Sequence, residues 1–136
     1  MKLSSPQQSP ASILIIEDDP DVLEVMKRAL KRNGYDLVGV DDPKSALKLL
    51  EEHSFNLIIC DMSIPYMDGI SFYHELRKRH HELAMRIMFT TGDPSSPKYQ
   101  EFFSNTHSSV LEKPFGLLDL LSMVEDKLEE GKAAAS

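Results

Sequence analysis

The chain is poor in cysteine and in positive charge, and it has no long apolar run. Its single cysteine, Cys60, excludes a disulfide framework within the chain, and a reducing, cytoplasmic compartment is expected. Lysine and arginine number 15 against 22 aspartates and glutamates, a formal charge of −7. That balance argues against a nucleic-acid surface, which needs a basic patch, and suits a cation as partner. No apolar stretch approaches the roughly 20 residues that span a bilayer, so no membrane association is expected. The opening segment, MKLSSPQQSPAS, also lacks the apolar centre of a signal peptide.

What is present suffices for one domain. With 136 residues, 41% of them hydrophobic and 27% charged, the chain supports a single compact core. Residues 1–11 read as a flexible Pro/Ser/Gln-rich arm and 131–136 as a flexible tail, with the folded unit across 12–130. Short apolar runs at 13–16, 35–40, 56–60, 86–91 and 109–112 predict five strands. They are near-continuous rather than alternating, as parallel strands covered on both faces require. Helical periodicity fills the intervals at 20–32, 43–53, 69–81, 94–105 and 117–130. Five strands alternating with five helices predict a doubly wound α/β domain with a parallel sheet. In such sheets reactive groups collect beyond the C-terminal strand ends.

Those ends carry a consistent chemistry. Glu17, Asp18 and Asp19 follow the first strand, Asp61 follows LIIC, and Thr90 and Thr91 close the fourth strand. Lys113 and Pro114 follow the fifth. Two or three carboxylates form the oxygen shell that Mg²⁺ prefers. One carboxylate beside the metal can act as a nucleophile toward phosphorus, while a hydroxyl and an ammonium hold phosphoryl oxygens.

The blocks ILIIEDDP, LIICDMSIPYMDGI, TTGD and LEKPF, in this order, resemble the receiver domain of two-component response regulators over roughly residues 12–130. The separations from Asp61 to Thr91 (30 residues) and from Asp61 to Lys113 (52 residues) are similar to those of the family. The resemblance implies a flavodoxin-like (βα)5 fold in which Asp61 is the phosphoacceptor. Glu17, Asp18, Asp61 and the backbone carbonyl of Ser63 would then hold Mg²⁺, with Thr91 as the switch hydroxyl and Lys113 as the conserved-type lysine before a cis proline. It implies a histidine kinase or phosphotransfer protein as donor and self-dephosphorylation rather than substrate turnover. A downstream protein or domain would dock on the face of helix four, strand five and helix five. One position departs from the family: Val110 stands where an aromatic is common, with Tyr99, Phe102 and Phe103 as the nearby alternatives.

Simpler readings apply elsewhere. Asp19 before Pro20 is a helix N-cap and first-turn pair. Cys60 is a small buried hydrophobe, Gly69 a requirement of shape, and His80–His81 a solvated helix end. A phosphatase with an aspartyl nucleophile is the alternative chemistry, but it needs a second acid where Ser63 stands. A degenerate receiver that binds partners without phosphorylation is the other alternative.

Overall fold

The isoleucine-rich runs become the centre of a five-stranded sheet in the computed structural model, which describes residues 10–135, with side chains described to residue 131. The order along the chain is β1 (Ser12–Ile16), α1 (Pro20–Arg32), β2 (Asp36–Val40), α2 (Pro43–Glu52), β3 (Leu57–Asp61) and α3 (Gly69–Arg79). It continues with a 3-10 turn (Leu83–Arg86), β4 (Ile87–Thr91), α4 (Pro97–Thr106), β5 (Ser109–Glu112) and α5 (Leu117–Ala135). The strands pair in the order β2-β1-β3-β4-β5, all parallel. The expected doubly wound, flavodoxin-like architecture is therefore the one observed.

Strand side chains alternate between faces, so one apolar run supplies two cores. Ile13, Ile15, Leu57, Ile59 and Met88 meet Met26 and Leu30 of α1 and Leu120 and Val124 of α5. Leu14, Ile16, Ile58, Cys60 and Phe89 meet α2, α3 and α4 through Leu47, Leu50, Phe72, Leu76 and Phe102. Each fully buried aliphatic or aromatic side chain contributes about 1.5–3 kcal/mol relative to exposure. Gly39 on β2 lets α1 approach closely, because a Cβ there would lie 2.8 Å from Leu23 Cδ1.

Several boundaries differ from those predicted, each for a local reason. Helix α4 starts at Pro97 rather than 94. Residues 93–96 form a turn (Ser96 N–H to Asp93 O, 3.2 Å), and the Ser96 hydroxyl then caps Tyr99 N–H. Helix α3 stops at Arg79, and the 3-10 turn takes up the apolar residues Leu83 and Ala84 before β4. Helix α5 passes Glu130 and reaches Ala135, so residues 131–135, expected as tail, are helical; three successive alanines are the strongest helix formers. Of the predicted N-terminal arm, residues 1–9 lie outside the described residues. Among the described residues no helix is long and apolar enough to cross a membrane.

Candidate functional site

Strand order places the acids. β1 and β3 are neighbours, with Ile16 opposite Cys60, so the residues that follow, Glu17 and Asp61, emerge side by side where the chain reverses its winding. Both are buried, Glu17 at 1% exposure and Asp61 at 5%. Asp18, next along, is exposed. One carboxylate oxygen from each of Glu17, Asp18 and Asp61 falls within 4.8 Å of the others. Among the described residues this is the only group of three or more acids, histidines or cysteines so close.

Lys113 reaches the pair from the far side. Its backbone N–H donates to Thr91 O at 2.8 Å, which ties β5 to the end of β4. Its ammonium donates to Glu17 Oε1 at 2.7 Å and to Asp61 Oδ2 at 2.9 Å. The bond to Pro114 is cis, as the resemblance implies. The second oxygens are held by backbone: Asp19 N–H donates to Glu17 Oε2 (3.1 Å) and Ser63 N–H to Asp61 Oδ1 (3.2 Å). The Thr91 hydroxyl is buried and accepts from Asp93 N–H at 3.0 Å.

The electrostatics follow from this crowding. Burial pushes the Glu17 carboxyl up from 4.5 to about 6, with the Asp61 charge adding and the hydrogen bonds from Lys113 and Asp19 opposing. Burial disfavours the Lys113 ammonium, but its bonds to Glu17 and Asp61 outweigh that and hold its pKa above the usual value. Burial likewise drives the Cys60 thiol well up, so it stays a neutral apolar side chain rather than a nucleophile.

The structure thus brings Glu17, Asp18, Asp61 and Lys113 together, with Ser63 and Thr91 at the adjoining strand ends. Asp19 is separate: its carboxylate caps α1, accepting from Asp21 N–H (2.9 Å) and Val22 N–H (3.4 Å). Gly69 is required sterically, since a Cβ there would sit 2.6 Å from Met62 Sδ and 3.0 Å from Met62 Cα. Val110 is in register with Phe89 on β4. The aromatics gather instead on the α3–α4 side, where Phe89 contacts Phe102 (5.5 Å between ring centroids) and Phe103 (5.9 Å), and Phe103 contacts Tyr99 (6.3 Å).

Sequence reasoning did not find the link at the rim of the site. Asp68 caps α3 through Ser71 N–H and pairs with Lys98 of α4 at 3.1 Å. The Asp-Gly pair before α3 was a readable cap signal, whereas nothing local marks Lys98, 30 residues away.

Comparison with known proteins agrees with this geometry. The family model for the response regulator receiver domain matches residues 13–125. The response regulator receiver protein CpdR of Brucella abortus is 36% identical over 118 residues, which cover 85% of this chain and 95% of that protein. The response regulator protein FleR of Pseudomonas aeruginosa is 31% identical over 84% of this chain but only 24% of its own length. Among solved structures, a CheY-like response regulator receiver domain protein from Methanospirillum hungatei aligns over 93% of this chain and 99% of its own, with a TM-score of 0.84 and 27% identity. The receiver domain of the sensor histidine kinase PA1611 of P. aeruginosa, which carries a magnesium ion in its active-site cleft, shares the fold at a TM-score of 0.78 and 24% identity. That alignment covers 89% of this chain and 99% of its own.

Proposed function

The chain belongs to the response regulator receiver domain family, and on that footing we propose that Asp61 accepts a phosphoryl group and so switches the protein's affinity for a partner. The observation that carries this reading is the placement of Asp61: buried at the end of β3, bonded to Lys113, and beside two further carboxylates.

The residues fit Mg²⁺. Three carboxylate oxygens lie close enough to share one hard cation, and the desolvated Glu17 is short of compensating positive charge. Glu17, Asp18, Asp61 and the Ser63 carbonyl would hold it. When bound, Mg²⁺ neutralises the acids and the charge on phosphoryl oxygens.

In the transfer, an oxygen of the Asp61 carboxylate forms a bond to phosphorus as the phosphorus–nitrogen bond of a donor phosphohistidine breaks. The imidazole leaves with the electron pair and takes a proton, and the product is an acyl phosphate on Asp61. Lys113 has three ammonium donors, of which Glu17 and Asp61 use two, so the third is available to a phosphoryl oxygen. The Thr91 hydroxyl accepts from Asp93 N–H and keeps its own hydrogen to donate to a phosphoryl oxygen. Lys113 also fixes the orientation of Asp61 before reaction, which lowers the entropic cost of the step.

The donor is a histidine kinase or phosphotransfer protein in the cytoplasm, and the output face is α4–β5–α5. With Val110 on β5, one of Tyr99, Phe102 and Phe103 of α4 would take the part of the aromatic that follows a movement of Thr91. The population shift arises because the phosphoryl group prefers the arrangement in which Thr91 and Lys113 both contact it. Ser63 offers no carboxyl for general acid catalysis, so turnover of phosphomonoesters is not expected.

Intact mass after incubation with acetyl phosphate and Mg²⁺ tests this reading. Wild type is expected to gain one phosphoryl group and Asp61→Asn none. A wild type that gains nothing from acetyl phosphate or from a phosphorylated kinase would overturn it.

A further inference from the structure

Between Asp61 and α3 the chain carries a bulky residue where its backbone favours glycine. Tyr66 has φ 68°, in the left-handed region that Gly, and next Asn and Asp, adopt readily. Its side chain is 100% exposed, so no packing inside the fold offsets the strain. The segment around it is nevertheless held. Ile64 on one side is buried, Met67 on the other packs against the core beneath α2, α3 and α4, and Gly69 N–H closes the loop on Met62 O at 2.9 Å. The loop thus presents an aromatic ring to solvent at a cost in strain and with no return in burial. Strain kept in that way at the edge of a reactive site points to a use in binding.

Distance indicates what binds. The loop begins directly after Asp61, and Tyr66 is three residues from Gly69 at its closed base, so the Tyr66 Cα lies within about 11 Å of that base. Asp61 is itself buried, so a protein that brings a phosphohistidine to it must cover the strand-end surface around it. A standard interface covers about 800 Å² on each partner, a disc about 16 Å in radius. Tyr66 falls inside such a footprint, whereas a donor of a few atoms, such as acetyl phosphate, needs none of that surface. Leu118, just past Lys113 at the end of β5, is also 81% exposed, so the rim is apolar at more than one point. Tyrosine is prominent among the residues that dominate interfaces, because its rigid ring buries a large area at little entropic cost.

We propose that Tyr66 is a specificity-determining contact for the phosphoryl donor, its ring packing against the protein that carries the phosphohistidine. The inference rests on Asp61 as phosphoacceptor and concerns which molecule delivers the phosphoryl group, not the transfer itself.

Phosphotransfer to Tyr66→Asn and to wild type tests the proposal, because Asn adopts the left-handed region and so keeps the loop. The probes are acetyl phosphate and the autophosphorylated histidine kinases encoded in the same genome, each with Mg²⁺. With the kinase that phosphorylates wild type fastest, Tyr66→Asn should raise KM about tenfold or more and leave kcat little changed, the loss expected of an anchor residue. Tyr66→Phe, which keeps the ring, should restore most of that loss. Rates with acetyl phosphate should be the same for all three proteins, and the urea midpoint of Tyr66→Asn should be no lower than that of wild type. An unchanged KM for the kinase, an equal loss with acetyl phosphate, or a lowered urea midpoint would each overturn the proposal. So would a wild type that acetyl phosphate phosphorylates and no kinase does. A wild type inert to every donor would instead overturn the role of Asp61, and this inference with it.

Discussion

Glu17 makes the metal-free protein respond to pH in a direction opposite to most paired carboxylates. Its carboxyl is 1% exposed and rises from 4.5 to about 6 on folding, chiefly by burial. A folded-state value above the unfolded one means that the folded protein favours the neutral acid. The resulting stabilisation is fully present below pH 4.5 and is lost as the pH rises through 6. A shift of that size corresponds to about 2 kcal/mol. Urea denaturation of metal-free wild type and Glu17→Gln, measured between pH 7 and pH 4.5, isolates this contribution as the difference between the two curves. Wild type should gain about 2 kcal/mol relative to the variant as the pH falls. Saturating Mg²⁺ should abolish most of that gain, because the ion requires the ionised form. Parallel curves for the two proteins would refute the claim that burial leaves Glu17 short of positive charge.

Other perturbations separate the neighbouring residues. Asp18→Ala should abolish Mg²⁺-dependent phosphorylation by mass. Asp19→Ala should keep it and lose about 1 kcal/mol in denaturant melts, the usual cost of an N-cap. Gly69→Ala should cost about 1–3 kcal/mol by the same melts, because the new methyl meets the Met62 backbone as well as its sulfur. Lys98→Ala should change stability by less than about 1 kcal/mol, since its pair with Asp68 is largely solvated, with the Lys98 side chain 68% exposed.

Much of the fold was legible because its signals are local. The run Ile13–Ile16 is apolar on both faces, and a strand with two covered faces has to be; the same holds for Leu57–Cys60 and Ile87–Phe89. The convergence of Glu17, Asp18, Asp61 and Lys113 followed from one rule about strand ends, and it needed no knowledge of side-chain geometry. The acid run also divided where its chemistry predicts, since Asp19 turns to the N–H groups of α1 while Glu17 turns inward to Lys113.

What stayed hidden depends on long-range packing or on competing local signals. Pro94 and Pro97 both resemble a helix start, and the Ser96 cap decided for the second. His80 sits in a run of charged residues that reads as solvent-facing, yet the fold leaves it half-buried with its Nε2 out of reach of solvent. The pairing of Lys98 with Asp68 joins two helices whose relative placement exists only in the folded sheet.

The measurement closest to the central claim is the mapping of the phosphoryl group itself. Borohydride reduction of the phosphorylated protein converts an aspartyl phosphate to homoserine, and peptide mass then locates it. Homoserine is expected at position 61 and nowhere else. Reduction at Asp18, at another acid, or at no acid in a protein that has taken up phosphate would contradict the assignment.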